Sequence, residues 1–391
     1  MPHKPGRHFL QIPGPSNVPD RVLRAMAKPT IDHRGPEFAG LTRSILERLG
    51  TVFQTSGPVI LFPASGTGGW EAALVNTLSP GDRVLAFETG HFATLWRAVA
   101  ARLGVEVEWV EGDWRHGVDP SVVEAKLEED SSRSIKAVLV VHNETSTGIT
   151  SRVAEVRRAI DAADHPALLM VDTVSSLGTA EYRHEEWGVD VTVCASQKGL
   201  MLPPGLGINA VSEKAIAATE SAGLPRSYWD WRPVLKMNER GFFPYTPPTN
   251  LLYGMDAALD MLLEEGLARV FARHRRLAEA TRRAVSAWGL ELCPLDPAEY
   301  SDCLTAVWLP DGHDADELRR IILDRFDMSL GTGLGKVKGR VFRIGHLGDM
   351  NDLMLAGTLC GVEMGLGLAG VPHTKGGVAA ALDHLAGSRT D

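Results

Sequence analysis

The chain has 391 residues, of which 44% are hydrophobic and 23% charged, as in an ordinary globular protein of more than one domain. Its net charge of -9 argues against a nucleic-acid partner and against binding to an anionic membrane. The four cysteines contain no CxxC pair, which favours neither a zinc site nor a disulfide framework and fits a reducing compartment. No signal core or transmembrane-length apolar stretch is apparent, so we expect a cytoplasmic protein.

The first two thirds of the chain predict an α/β fold. An extended, turn-rich segment at 13–19 is followed by apolar runs of strand length that alternate with helical patterns. This alternation indicates a mostly parallel sheet with helices on both faces. The predicted strands lie at 59–62, 83–87, 105–110, 137–141, 168–171 and 191–195.

The pattern changes near residue 265, where a smaller α+β domain is predicted to begin. Its predicted elements are an amphipathic helix at 266–288, a strand at 304–309, a helix at 315–326, a strand at 340–344 and a helix at about 352–369. The predicted organisation is an N-terminal extended segment (1–20), a large domain (21–264), a small domain (265–370) and a weakly ordered tail (371–391).

Two polar residues follow apolar strand runs. Asp172 follows the run at 168–171, and Lys198 follows the run at 189–195. Ligands of open α/β sheets bind at the carboxyl ends of the strands, and buried charges need partners. Pyridoxal phosphate uses this pair of groups: a lysine that forms a Schiff base and a carboxylate that keeps the pyridine nitrogen protonated. Taken singly, Lys198 also fits a surface charge and Asp172 a helix N-cap.

A glycine-rich turn follows the first strand of the predicted sheet. Ser65, Gly66 and Thr67 open the next helix, where backbone amides can bind a phosphate. A βα turn that binds nothing explains this motif equally well. The segment lacks the Gly-Lys-Ser/Thr of a P-loop, and Glu71 replaces the last glycine of a dinucleotide fingerprint.

Three more residues lie on or after predicted strands. Phe92 is placed to stack on a planar cofactor or to fill the core. Thr145 lies in the polar segment 142–145, which suits a site rim or a capped turn. Arg343 is placed to bind a carboxylate in bidentate fashion or to form a structural ion pair. The 13 histidines show no metal-ligand spacing, so no metal is expected.

The order of these pieces resembles the class V aminotransferases, a family with the fold-type I architecture of pyridoxal phosphate enzymes. The resemblance covers about residues 9–370, and the closest likeness is to the serine–glyoxylate and alanine–glyoxylate enzymes. It rests on the segments PGPSN (13–17), DHR (32–34), FPASGTGGWE (62–71), HNETSTG (142–148), SQKG (196–199), PYTPP (244–248) and FRIGHLG (342–348).

The resemblance implies roles for the matching positions. Lys198 would bond the cofactor, and Asp172 would pair with its ring nitrogen. The other implied contacts are Phe92 and Val174 to the two ring faces; Thr145 to the phenolic oxygen; Ser65, Gly66, Thr67, Gln197 and, from a second subunit, Thr246 to the phosphate; Arg343 to the substrate α-carboxylate; and His33 and Arg34 of the second subunit to the substrate. These roles imply at least a homodimer with shared active sites, and a higher oligomer stays open. Phe243 replaces a tyrosine of some relatives, and whether it or Tyr245 serves the phosphate stays open.

The activity implied by the resemblance is ping-pong transfer of the amino group of L-serine to glyoxylate, giving hydroxypyruvate and glycine. Aspartate–glyoxylate and alanine–glyoxylate transamination remain alternatives. The second carboxylate of aspartate would need an additional cation, which Arg34 or His33 could supply. A pyridoxal phosphate lyase is less expected, because Cys303 and Cys360 lack the loop signature of a mobile catalytic cysteine. A catalytically silent binding module is less expected because Lys198 is retained together with Asp172 and Arg343.

Overall fold

A computed structural model describes residues 5–388, so the ends of the predicted N-terminal segment and tail, 1–4 and 389–391, lie outside the described residues. The helices are α1 (Asp20–Met26), α2 (Pro36–Phe53), α3 (Gly66–Thr77), α4 (His91–Arg102), α5 (Pro120–Glu129), α6 (Val153–Ala162), α7 (Glu213–Ala218), α8 (Trp231–Asn238), α9 (Thr249–Glu265), α10 (Leu267–Trp288), α11 (Ala315–Phe326), α12 (Asp352–Leu368) and α13 (Gly377–Gly387). The strands are β1 (Phe9–Gln11), β2 (Val59–Ala64), β3 (Arg83–Phe87), β4 (Glu106–Val110), β5 (Ile135–Val141), β6 (Asn143–Glu144), β7 (Ile149–Thr150), β8 (Leu168–Asp172), β9 (Val191–Ala195), β10 (Gly205–Val211), β11 (Glu291–Leu292), β12 (Leu304–Trp308), β13 (Met328–Thr332) and β14 (Val341–Gly345).

The larger sheet has seven strands in the order β2-β10-β9-β8-β5-β3-β4. Its strands run parallel except β10, which is antiparallel to both neighbours, β2 and β9. The prediction of a mixed α/β fold with a mostly parallel sheet is therefore confirmed. Strands β8 and β9 are buried along their whole length, as expected for a sheet covered on both faces.

The smaller sheet has five strands in the order β1-β13-β14-β12-β11. Its edge strand β1 comes from the N-terminal segment and pairs in parallel with β13, whereas the remaining pairs are antiparallel. Helices α10, α11 and α12 pack around it, and their apolar residues form a core separate from that of the larger sheet. The N-terminal segment thus belongs structurally to the second sheet.

The chain topology brings several predicted site segments to one edge of the larger sheet. Strands β3, β5, β8 and β9 are parallel, so the residues after Phe87, Val141, Asp172 and Ala195 meet at their common carboxyl edge. Strand β10 is antiparallel to both β2 and β9, so β2 runs in the same direction as β9. The turn that opens α3 therefore reaches the same edge.

Several elements differ from the sequence prediction, among them strands β1, β10 and β13 and helix α13. Strand β10 was not predicted; it contains two glycines and an asparagine, which weaken its strand signal. The predicted weakly ordered tail is wrong for most of its length, because residues 377–387 form α13, which packs against α10. Within residues 5–388, no helix combines the length and the apolar character needed to cross a membrane.

We expect the packing of α13 to contribute measurably to stability. Both Leu385 and Leu382 belong to α13. Leu385 is buried on the inner side of the helix, whereas Leu382 is 44% exposed on its outer side. Leu385→Ala should lower the free energy of unfolding by about 2–5 kcal/mol, because it opens a cavity in a packed interface. Leu382→Ala, the matched control, should have a clearly smaller effect. Urea unfolding of both variants measures this, and equally small effects would contradict a packed α13.

Candidate active site

A cavity of about 320 Å³ opens at the carboxyl edge of the larger sheet. The structure brings together nine of the residues predicted from the sequence, all of which line this cavity: Ser65, Gly66, Thr67, Phe92, Thr145, Asp172, Val174, Gln197 and Lys198. They come from five separate loops or helix starts, so the cavity exists only because the sheet topology aligns those strand ends. Such crevices are where open α/β sheets bind ligands.

Asp172 is the last residue of β8 and is buried. One carboxylate oxygen accepts a hydrogen bond from the Val174 amide at 2.7 Å, and the other accepts from Nε1 of Trp70 at 2.8 Å. Burial raises the pKa of Asp172 to about 7, although both hydrogen bonds act in the opposite direction. The carboxylate is thus held rigidly, and its proton affinity responds strongly to any charge that enters the cavity.

Trp70 was not predicted as a site residue. It lies in the second turn of α3, and its ring stacks on Trp96 of α4 with centroids 5.9 Å apart and planes 12° apart. This packing fixes the direction of its N–H toward Asp172. The glycine-rich segment therefore supplies both the start of α3 and the donor that orients the carboxylate.

Lys198 follows β9 and is buried with its amine in the cavity. Burial, reinforced by repulsion from Arg343, lowers the pKa of Lys198 to about 8, while the negative charge of Asp172 acts the other way. Its Nζ donates a hydrogen bond to the carbonyl oxygen of Pro13 at 2.5 Å and lies 6.0 Å from the centroid of the Phe92 ring. A buried amine with a lowered pKa is a nucleophile near neutral pH.

The N-terminal segment packs directly over this lysine. Ser16 donates from its hydroxyl to the Lys198 carbonyl oxygen at 2.8 Å and from its amide to the Gln197 carbonyl oxygen at 2.9 Å. Gly14 has φ +102°, and a Cβ at this position would collide with the lysine side chain. This contact explains the glycine of the PGPSN motif, because only glycine lets the backbone at position 14 lie against the Lys198 side chain.

The start of α3 is suited to an anion. No side chain caps the helix, so its first backbone amides are free to bind a ligand, and the hydroxyl-bearing Ser65 and Thr67 face the cavity. A Cβ on Gly66 would come within 2.6 Å of Val174, so glycine is needed for this turn to pack against the loop that follows β8. Gln197 lies in the same wall, and its Oε1 has no hydrogen-bond partner among the described residues.

Glu144 positions Phe92, a link that the sequence did not reveal. Its buried carboxylate accepts hydrogen bonds from the amides of Phe92 and Ala93 at 3.1 Å and from the Ser146 hydroxyl at 2.6 Å. These amides belong to the first turn of α4, where the helix dipole favours a negative charge. Glu144 therefore anchors the helix that carries the aromatic ring into the cavity.

Arg343 lies beside the cavity rather than in its wall. It is buried on β14, and its guanidinium donates to the carbonyl oxygens of Thr145 at 2.6 Å and Thr332 at 2.7 Å. Burial lowers its pKa to about 10, so the side chain stays charged at neutral pH. Arg343 is thus the cation that the smaller sheet contributes next to Lys198.

Three predicted residues do not reach the cavity of their own chain. Thr246 and Arg34 are exposed, and neither lines the cavity. His33 is half-buried, and its Nε2 has no hydrogen-bond partner among residues 5–388. Their implied roles assign them to the site of a second subunit, and those roles stay predictions.

Comparison with known proteins defines the family. The family model of class V aminotransferases matches residues 8–333, so this chain belongs to the class V aminotransferase family. The serine–glyoxylate aminotransferase of Methylorubrum extorquens is 51% identical over 98% of this chain and 97% of its own length. The L-aspartate–glyoxylate aminotransferase of Paracoccus denitrificans is 48% identical over 95% of each chain. The crystal structure of an alanine–glyoxylate aminotransferase from Nostoc sp. superposes with a TM-score of 0.87 at 31% identity, covering 94% of this chain and 97% of that one.

Membership of this family makes the chain an aminotransferase of the pyridoxal phosphate-dependent fold-type I architecture, with pyridoxal phosphate as its cofactor. The cavity fits that group. It presents a buried amine on Lys198, a buried carboxylate on Asp172 and an uncapped helix start at Gly66 for the phosphate. The unpartnered Oε1 of Gln197 also leaves a polar atom for a ligand to satisfy.

We expect Arg343 to control the pH at which Lys198 becomes reactive. Its positive charge lowers the pKa of the amine, so Arg343→Met should raise that pKa. Because only the neutral amine attacks the carbonyl of pyridoxal phosphate, cofactor-free Arg343→Met protein should react about tenfold more slowly at pH 7. At a pH above both pKa values, the two proteins should react at similar rates.

The measurement is the rate of cofactor uptake, followed by absorbance, against pH. Arg343→Lys keeps the charge and should keep the wild-type profile, whereas Lys198→Ala corrects for reaction at other lysines. A profile that Arg343→Met leaves unchanged would contradict the coupling.

Proposed function

We propose that this chain transfers the amino group of L-serine to glyoxylate and releases hydroxypyruvate and glycine. The observation that carries the proposal is the convergence of the Lys198 amine and the Asp172 carboxylate in one cavity, with the Arg343 guanidinium beside it. The 51% identity to a serine–glyoxylate aminotransferase over nearly the full length supports the choice of substrates.

Lys198 is proposed as the catalytic acid and base. Pyridoxal phosphate, when bound, supplies a carbonyl that takes up amino groups and a ring that accepts an electron pair. The lysine amine then has to move a proton from the α-carbon of the amino acid, which a general base does best when its pKa lies near the working pH. The lowered pKa of Lys198, about 8, meets this condition.

Asp172 is proposed to hold a proton on the ring nitrogen of the cofactor. A carboxylate opposite a cationic ring nitrogen is stabilised in its charged form, which offsets the burial that raises its pKa. The hydrogen bonds from Trp70 and from the Val174 amide orient the carboxylate before any ligand arrives. No reorganisation of this group is therefore needed during the reaction.

Arg343 is proposed to bind the α-carboxylate that donor and acceptor share. A guanidinium offers the planar pair of donors that a carboxylate accepts. Two of its donors already bond the carbonyl oxygens of Thr145 and Thr332, which orient the side chain. The same cation serves both half-reactions, since each substrate brings an α-carboxylate.

The polarity of the cavity favours a small neutral side chain on the donor. Lys198 is the only cation among its lining residues, and the Arg343 guanidinium beside them is assigned to the α-carboxylate. A second carboxylate on the donor would therefore depend on Arg34 or His33 of another copy. This supports serine over aspartate, while the L-aspartate–glyoxylate relative at 48% identity makes aspartate the second candidate.

The lyase alternative lacks a suitable cysteine among the described residues. Cys303 is buried, and burial raises the pKa of its thiol far above neutral pH. Cys360 is exposed on α12, and neither cysteine lines the cavity. A cysteine nucleophile would need a thiolate at the substrate, so the arrangement favours amino transfer.

We also propose a cytoplasmic homodimer with shared active sites. The implied roles of Thr246, His33 and Arg34 can be met only by another copy, since none of them reaches the cavity of its own chain. All four cysteines are free, which supports a reducing compartment.

The test of the proposed substrates is the half-reaction with separate amino acids. Purified enzyme with its cofactor is mixed with L-serine, L-alanine or L-aspartate, and the absorbance of the cofactor is followed. Serine should change the spectrum fastest, and glyoxylate should then restore it. A faster change with aspartate would overturn the proposed donor, and no change with any of the three would overturn amino transfer itself.

A further inference from the structure

Helix α10 and the loop that follows β14 are joined through two consecutive residues of the helix. This loop spans residues 346–350 and is here called the 346–350 loop. The Arg273 guanidinium donates to the carbonyl oxygens of Gly348 at 3.0 Å and Met350 at 3.1 Å. The Gly348 amide donates to Nε2 of His274 at 3.1 Å. Both backbone groups of Gly348 are therefore bonded to α10.

His274 is a fixed hydrogen-bond acceptor for this loop. Its Nδ1 lies 2.7 Å from the carbonyl oxygen of Val270, which can only accept, so the ring proton is on Nδ1 and Nε2 is left to accept. The side chain is fully buried, and burial together with the charge of Arg273 lowers its pKa to about 3. The ring therefore stays neutral near neutral pH and offers Gly348 an acceptor in a place that water does not reach.

The 346–350 loop packs against the N-terminal segment without a gap. Gly348 has φ +88°, and a Cβ at this position would lie 3.2 Å from Cβ of Ser16. A Cβ on Gly345, the last residue of β14, would collide with backbone atoms of the segment 12–16. Because packed interiors transmit displacements, a shift of the loop would displace this segment.

The segment 12–16 holds Lys198 both at its backbone and at its amine. Ser16 bonds the carbonyl oxygens of Lys198 and Gln197 at 2.8 and 2.9 Å. The carbonyl oxygen of Pro13 accepts a hydrogen bond from Nζ of the lysine at 2.5 Å. The segment that the loop supports is therefore the one that fixes the direction of the amine.

We propose that His274 is a positioning residue for Lys198, which acts by fixing the 346–350 loop against the N-terminal segment. The contacts run in series from the imidazole to Gly348, from there to Ser16, and from Ser16 to the lysine. His274 does not line the cavity, so its influence on the lysine passes through this series. The inference rests on the proposed role of Lys198 in binding the cofactor.

A purely structural role for His274 makes a different prediction. A residue that only stabilises the core would lower the free energy of unfolding when replaced, but it would leave the geometry around Lys198 unchanged. Thr281 is the matched control, because it is also fully buried on α10 and its hydroxyl donates to the Leu277 carbonyl oxygen of the same helix at 2.9 Å. Thr281→Val removes this bond about 10 Å along the helix from His274.

The first test is hydrogen exchange of the holoenzyme, followed by mass spectrometry. His274→Leu leaves the buried Gly348 amide without its acceptor, so the loop should loosen, and the amides of residues 14–18 should exchange about tenfold faster. His274→Gln keeps an acceptor oxygen at this position and should restore most of the protection. Thr281→Val should leave the exchange of residues 14–18 as in the wild type.

The second test is the rate of cofactor uptake by the full chain without cofactor, measured against pH. His274→Leu should be about tenfold slower than the wild type, because a misdirected amine meets the carbonyl of pyridoxal phosphate less often in a reactive orientation. The difference should persist at a pH where the amine is neutral in both proteins. This behaviour separates His274 from Arg343, whose replacement acts through the pKa of the amine, and His274→Gln should recover most of the rate.

Several results would overturn the inference. Exchange of residues 14–18 that His274→Leu leaves unchanged, or that Thr281→Val raises equally, would remove the link between α10 and the N-terminal segment. A rate of uptake that recovers at alkaline pH would show an effect on the charge of the amine rather than on its direction. Faster exchange as expected, together with covalent cofactor on a different lysine, would show that the proposed role of Lys198 is wrong while the link itself stands.

Discussion

The structure depends on burying two opposite charges at the ends of neighbouring strands. Asp172 ends β8 and Lys198 follows β9, and burial moves their pKa values toward each other, to about 7 and about 8. Each group favours the charged form of the other. The hydrogen bond from Trp70 lowers the pKa of Asp172, and the positive charge of Arg343 lowers the pKa of Lys198. The lowered pKa of Lys198 therefore suits the acid–base role that is proposed for it.

The second constraint is the path of the N-terminal segment. Its first part is strand β1 in the smaller sheet, and its next part, residues 13–16, covers Lys198 at the edge of the larger sheet. One short segment thus connects the smaller sheet to Lys198. Gly14 makes this possible because its backbone conformation and its missing Cβ allow contact with the lysine side chain.

The local sequence predicted the site residues that follow directly after a strand. It did not predict residues whose hydrogen-bond partners are distant in the sequence. Asp172 and Lys198 could be found because each follows an apolar run. Trp70 could not, since its bond to a carboxylate 102 positions away depends on the strand order. The same holds for Glu144. In the sequence it is one polar residue of a predicted turn, and only the structure shows that its carboxylate accepts a hydrogen bond from the first turn of α4. The aminotransferase family was predicted and is confirmed, because its motifs occur together and in order.

The central claim is that Lys198 is the group that binds the cofactor covalently, and it can be tested directly. Borohydride reduction of the enzyme with pyridoxal phosphate fixes the bond between cofactor and lysine, and mass spectrometry of the digested protein locates it. The account predicts the added mass on Lys198 alone, with none in the Lys198→Ala variant. Label on a different lysine, or no label on the wild type after cofactor addition, would contradict it.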